Sequence, residues 1–345
     1  MSLFSEITEQ PERIQSLLVS QRKTVEKIAA EILKRDIQYV FLAARGTSDN
    51  AGRYANYLLG AQNGLPLALA TPSLFTYYKQ PPRLKNALVV GISQSGASPD
   101  IVSVLEEGRR QNCLTLAITN EPKSSLARSA DFILDIQAGA EKAIAATKTY
   151  TTELMSVAML SALVSGNKKY WRDLEKVSGW MRSVLKQNDF IAQSVERYRY
   201  MDQTIVLGRG FNYASAFEWS LKLKELAYVK AEPYSSADFA HGPIAMVEKG
   251  FPILAVAPKG KVFDSMYQML KRLRDDFFAE LVVISNDKRA LALAQTPLTI
   301  PSDVPEWLSP LVGILPAQLF AYHLTLAKGL DAEKSQVISK VTKTR

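Results

Sequence analysis

The apolar positions of this chain fall into short continuous runs separated by stretches of mostly helical periodicity. IQYVFLAA (37–44), ALVVGI (87–92), LTLAI (114–118) and FILDI (132–136) read as strands of a buried parallel sheet. The pattern returns as TIVLG (204–208), PILAVA (252–257) and LVVIS (281–285), again with helical patterns between the runs. Strands alternating with helices predict an α/β protein with two doubly wound parallel sheets, each a three-layer sandwich.

The two halves begin alike. ARGTSDNAGRYANYLL follows the first strand, and GRGFNYASAFEWSLKL follows the corresponding strand of the second half, which implies internal duplication. Residues 1–34 are expected to form a helical segment leading into the first sheet, with Pro11 in a first helical turn. Residues 35–165 then make the first domain, 166–200 a helical linker and 201–330 the second domain. Gly329 marks a helix stop, and 331–345 form a polar, basic tail.

Composition narrows the class without naming a function. A chain of 345 residues with 47% hydrophobic and 22% charged positions can bury two cores and is not disordered in character. The net charge of +8 favours an anionic partner. Runs such as KRLRDDF alternate in sign, and no basic stretch is interleaved with stacking aromatics, so a small phosphorylated ligand is favoured over nucleic acid. The N-terminal stretch carries Glu6, Glu9 and Glu12 where a signal peptide needs basic and then apolar residues, and runs such as TIVLG and FPILAVA end well short of a membrane span. A soluble, cytoplasmic protein is expected, with no membrane partner. Cys113 is the only cysteine and reads as a buried structural thiol. With two histidines and that one cysteine far apart in sequence, no metal and no organic cofactor are expected.

Two loops carry candidate chemistry. Strand 87–92 runs directly into Ser93-Gln94-Ser95-Gly96-Ala97-Ser98-Pro99-Asp100 and then into a helix. Hydroxyls, an amide and the N–H groups of a Gly-containing turn at a helix N-terminus suit an anion. Alternatively, Ser98 simply caps the helix and the rest is solvated loop. The loop lacks the Lys-Ser/Thr ending of a nucleotide P-loop and the GxGxxG spacing of a dinucleotide fingerprint. The second loop, Arg45-Gly46-Thr47-Ser48, leaves the first strand; Thr47 and Ser48 could bind a ligand, cap the helix, or both. In an open parallel sheet both loops lie at the carboxyl edge, where such folds bind ligands.

In the second half, Glu218, Lys222 and Glu225 share one helical face at i, i+4 and i+7. Periodicity leaves two readings: a solvated ion-pair ladder, or a catalytic carboxylate flanked by Lys222. His241, in AHGPIAM, is a loop histidine suited to acid–base work. His323, within AYHLTL, reads as a core or interface residue and is left out of the site.

Taken in order, GISQSGASPD, AATKTYTTEL, LGRG, SLKLKELAYVKAE, HGPIAM, AYHLTLAKG and Lys340 resemble the sugar isomerase (SIS) domain pair of glucosamine-6-phosphate synthase over about residues 35–345. The resemblance implies two SIS domains and a phosphosugar enzyme. It implies that Ser93, Gln94, Ser95 and Ser98 hold the phosphate, that Thr47 and Ser48 lie close to the sugar, and that Ile144 is a further substrate-binding position. It implies that Glu225 moves a proton between C1 and C2 with Lys222 beside it, and that Lys340 reaches the sugar and can form a Schiff base. His241 then aids ring opening from a neighbouring subunit, which implies a homodimer. Two departures stand out: Ser335-Gln336 replace the family's Pro-Arg, and Ile144 and Ala146 replace its Val and Ser. The glutaminase domain of the synthase is not seen, so the expected reaction is deamination of glucosamine 6-phosphate, or a related hexosamine phosphate, to fructose 6-phosphate and ammonia. Aldose–ketose isomerisation and fructosamine-phosphate deglycation are the alternatives. A non-catalytic phosphosugar sensor is the alternative of another class.

Overall fold

The computed structural model describes residues 2–334; Lys340, Ser335 and Gln336 lie outside the described residues. The chain divides into two compact units, one built from residues 12–141 and 148–176, the other from 2–11, 142–147 and 177–334.

The first unit holds a five-stranded sheet of Tyr39–Ala43 (β1), Leu67–Leu69 (β2), Ala87–Ile92 (β3), Leu114–Thr119 (β4) and Phe132–Asp135 (β5), in the order β2-β1-β3-β4-β5. The second holds Gln203–Gly208 (β6), Lys230–Ser235 (β7), Pro252–Val256 (β8), Glu280–Ser285 (β9) and Thr296–Thr299 (β10), in the order β10-β9-β8-β6-β7. All pairings are parallel. Counted from its own first strand, the second sheet repeats the order of the first, so the duplication read from the two similar helix starts extends to the whole topology. In each sheet the winding reverses beside the first strand, between β1 and β3 and between β6 and β8. That reversal opens a crevice at the carboxyl ends of the strands.

β3, β4 and β8 are buried at every position, as expected of strands covered on both faces. The strands that the apolar runs did not announce, β2, β7 and β10, are all edge strands. β2 is three residues long, and β7 contains Lys230, Glu232 and Pro233, polar and proline positions that only an edge tolerates.

Residues 3–34 are helical, but they do not all lead into the first sheet. The helix Leu3–Thr8 packs in the second unit: Leu3 and Ile7 are fully buried, the Phe4 and Tyr322 rings lie 5.5 Å apart, and Gln10 Nε2 donates to Gln318 Oε1 at 2.7 Å. The segment Glu306–Ala327 is long and apolar enough to cross a membrane by composition, yet 78% of that window is buried inside the protein. It is a core helix, packed against Val177–Leu185, Asn188–Ser194 and Tyr213–Leu226. Cys113 is buried with its thiol donating to the Leu84 carbonyl, and burial pushes the thiol pKa up, as suits a structural cysteine.

Candidate active site

In the first unit, β3 delivers the Ser93–Ser98 loop to the carboxyl edge beside the switch point. Gly96 turns it with φ +57°, and a Cβ there would stand 2.1 Å from Ser124 Oγ, so this position needs glycine on two counts. Ser93 Oγ accepts from the Gly96 N–H at 3.2 Å, and Ser95 Oγ is 3.4 Å from the Ala97 N–H. The helix Pro99–Arg110 follows, with Pro in its first turn. Ser98 occupies the N-cap position but makes no side-chain capping bond, so the reading in which Ser98 serves only as a cap does not hold. Gln94, Ser95 and Ser98 are half-buried and Ser93 is buried. A cavity of about 620 Å³ opens at the same edge, lined by Gln94, Arg13, Asn120, Asp135 and Gln137 among others.

The second loop is tied to the first. Arg45 Nε donates to Asp100 Oδ2 at 2.8 Å, and Asp100 is fully buried at the start of the helix Pro99–Arg110. This ion pair fixes the spacing between the loops after β1 and β3. The helix Gly46–Asn63 is capped at Arg45 by position, without a side-chain bond, which leaves Thr47 and Ser48 inside its first turn rather than at the cap. Ser48 is buried and its hydroxyl donates to Glu153 Oε1 at 2.7 Å, whereas Thr47 is half-buried.

The second unit provides an internal comparison. The loop after β8 corresponds to the loop after β3, and its N–H groups already hold an anion: Lys261 N donates to Glu306 Oε2 at 2.8 Å, and Val262 N lies 3.5 Å from Glu306 Oε1. Gly260 permits the approach, since a Cβ there would fall 2.0 Å from the Glu306 carboxyl carbon. The fold thus places a carboxylate at this turn by its own geometry.

The helix Tyr213–Leu226 carries the charged face. Glu218 and Lys222 are buried, with Lys222 Nζ 3.4 Å from Glu218 Oε1 and 2.5 Å from Glu225 Oε2. The solvated-ladder reading is therefore excluded. Glu225 keeps 23% of its side chain exposed, while the Lys222 side chain paired with it is 1% exposed. The helix is held by Trp219, buried against Phe320 at 5.7 Å, and by Ser220 donating to the Ala231 carbonyl.

His241 ends the short helix Ser236–Ala240 and is exposed, followed by Gly242 at φ +154°. His323 is half-buried, bonded through Nε2 to Asn188 Oδ1 at 2.8 Å and set against the Tyr322 ring. Ile144 lies in the second unit on a segment fixed by the buried Glu6, whose carboxylate accepts from Lys142 N at 2.5 Å and Ala143 N at 3.3 Å. The structure therefore brings Thr47, Ser48, Ser93, Gln94, Ser95 and Ser98 to one sheet edge of the first unit. Lys222, Glu225, His241 and Ile144 lie in the second unit, and Lys340 lies outside the described residues.

Sequence reasoning gave no role to Arg45, Asp100, Glu153 or Glu6. Arg45, Asp100 and Glu153 lie inside quoted motifs and Glu6 in the N-terminal stretch, but each partner is remote in sequence: 55 residues separate Arg45 from Asp100, 105 separate Ser48 from Glu153, and 136 separate Glu6 from Lys142. Among the described residues no group of three or more His, Cys, Asp and Glu side chains is placed to hold a metal ion.

The SIS domain matches residues 35–163 and again 199–328. The chain therefore belongs to the SIS, or sugar isomerase, family of enzymes. It is 32% identical over 352 residues to glutamine–fructose-6-phosphate aminotransferase of Thermococcus kodakarensis, covering 98% of this chain and 57% of that protein. The Methanosarcina acetivorans aminotransferase is 33% identical over 316 residues, 89% of this chain and 51% of the relative. The chain thus spans about half the length of the curated relatives it matches. Among solved structures, the C-terminal domain of glucosamine-fructose-6-phosphate aminotransferase from Francisella tularensis superposes with a TM-score of 0.88 at 30% identity, over 96% of this chain and 98% of that one. Glucosamine-6-phosphate deaminase from Thermotoga maritima shares the fold with a TM-score of 0.81 at 19% identity, over the full length of both chains.

Proposed function

We propose that this protein is an aminosugar-phosphate deaminase/isomerase that converts glucosamine 6-phosphate, or a related hexosamine phosphate, to fructose 6-phosphate and ammonia. The observation that carries the proposal is the partly exposed Glu225 side chain paired with buried Lys222 at 2.5 Å, on the helix that the family resemblance marks as catalytic. In this reading the Ser93–Ser98 loop holds the phosphate, as the carboxylate seated on the corresponding loop of the second unit supports. His241, from a neighbouring subunit of a homodimer, helps open the ring. Glu225 takes the proton from C2 of the open aldehyde, giving an enolamine, and returns it to C1. The resulting imine at C2 adds water and releases ammonia, leaving the ketose phosphate. Lys222 holds Glu225 in place and offsets charge as the carboxylate gains and loses its proton. Lys340 is assigned the contact to the sugar carbonyl carbon.

The test is release of ammonia and fructose 6-phosphate from glucosamine 6-phosphate by the purified chain without glutamine, with galactosamine 6-phosphate in parallel. Release of both products supports the proposal. Ketose formation from glucose 6-phosphate without ammonia from either amine would move the assignment to aldose–ketose isomerisation by the same glutamate.

A further inference from the structure

Ser48 sits in the first turn of the helix Gly46–Asn63, at the carboxyl edge beyond β1, and its hydroxyl donates to Glu153 Oε1 at 2.7 Å. Glu153 is fully buried on the helix Lys148–Val164. A serine hydroxyl has one proton and two acceptor lone pairs. With its proton given to Glu153, Ser48 Oγ presents only lone pairs to whatever approaches it. That is the wrong polarity for a phosphate oxygen and the right one for an O–H or N–H donor. A buried carboxylate behind the hydroxyl makes a cationic donor the better of the two. The neighbouring loop has the opposite character, with N–H groups and hydroxyls at a helix N-terminus that favour an anion.

We propose that Glu153 is a specificity-determining positioning residue, which acts through Ser48 to favour a sugar phosphate bearing a protonated amine over its hydroxyl counterpart. This rests on the reading of the loops at this edge as the phosphosugar site. The alternative is that the Ser48–Glu153 bond only ties two packed helices together, in which case its loss affects all ligands alike.

The experiment is calorimetric binding of glucosamine 6-phosphate and glucose 6-phosphate to Glu225→Gln protein, in which turnover is strongly slowed, with and without Glu153→Gln. Glu153→Gln is expected to weaken glucosamine 6-phosphate roughly tenfold, the scale of one charge-assisted hydrogen bond, and glucose 6-phosphate by less than about twofold. Ser48→Ala, which removes the hydroxyl and leaves the carboxylate, is expected to erase the same preference and serves if Glu153→Gln does not fold. Equal weakening of both ligands, or no change in either, would overturn the proposal. If the parent protein releases no ammonia yet prefers the amine and loses that preference with Glu153→Gln, the inference stands and the deaminase reading falls. If ammonia is released while the parent shows no preference, the reverse holds.

Discussion

The ammonium of Lys222 lies 2.5 Å from the carboxylate of Glu225, with the lysine 1% exposed and the glutamate 23%. One member of the pair is thus closed to water while the other stays partly exposed. Beneath them Glu218 is fully buried at 3.4 Å from the same ammonium, so the lysine serves the fold through one carboxylate and the surface through the other.

Glu225→Gln keeps the shape of the side chain and removes its basicity. Turnover is expected to fall by about 10²–10⁴-fold, the usual contribution of a positioned acid–base group, while phosphosugar affinity stays within a few-fold. Steady-state kinetics alongside calorimetric binding checks this. Unchanged turnover would remove Glu225 from its assigned role.

Lys222→Met acts first on stability. It leaves the Glu218 carboxylate buried without this ammonium, and loss of one partner of a buried ion pair costs about 3–5 kcal/mol. Chemical denaturation is expected to show a loss of this order, whereas Glu225→Gln, at the more exposed end of the cluster, shows a far smaller one.

Gly96→Ala tests the proposal that the Ser93–Ser98 loop holds the phosphate. The added methyl meets Ser124 Oγ at 2.1 Å and must adopt φ +57°, a conformation that costs an L-residue about 1–2 kcal/mol. The loop is expected to shift and phosphosugar binding to be lost while the far-ultraviolet circular dichroism is retained. Retained affinity would place phosphate recognition elsewhere.

Arg45→Met separates the two loops of the first unit. Asp100 is then buried without its charged donor, at an expected cost of about 1–3 kcal/mol because Arg45 itself is half-exposed. Weakened phosphosugar binding should accompany the loss, because the spacing between the Thr47–Ser48 and Ser93–Ser98 loops is no longer held. A double-mutant cycle with Asp100→Asn measures the coupling directly.

His323 makes stability depend on pH. Burial holds its pKa below the ordinary 6.5, against the opposing pull of Asp189. The unfolded chain therefore takes up a proton at higher pH than the folded one. The stability held by the neutral, half-buried ring is present above the unfolded value and is lost as pH falls through it toward the lower folded value. Between about pH 7 and about pH 5 the parent is expected to lose more stability than His323→Gln, measured as denaturation midpoints. Parallel curves would show that the ring does not carry the effect.

Much of this protein is legible without coordinates, and the reason is locality. A buried parallel strand announces itself as a continuous apolar run, so the inner strands of both sheets are visible in the sequence, and the duplication shows in two similar strand-to-helix junctions. The site motifs are equally local: Ser93–Ser98 and the Glu218–Lys222–Glu225 face each occupy one stretch of chain, where hydroxyls, glycine and helical spacing are already adjacent. The edge strands β2, β7 and β10 escape this kind of reading, though the edge strand β5 does not, because an edge has one side with no neighbour to demand apolar side chains; β7 carries Lys230, Glu232 and Pro233 for that reason.

Tertiary structure decides what depends on burial and on partners far along the chain. Periodicity places Glu218, Lys222 and Glu225 on one face but cannot say whether that face meets water; packing of the helix against β7 and the helix Ser309–Ala327 buries two of the three. Ser98 and Ser48 look alike as cap candidates, yet one makes no capping bond and the other gives its proton to Glu153 across 105 residues. A hydroxyl's polarity toward a ligand is set by the partner that holds its proton, and only the folded chain chooses that partner.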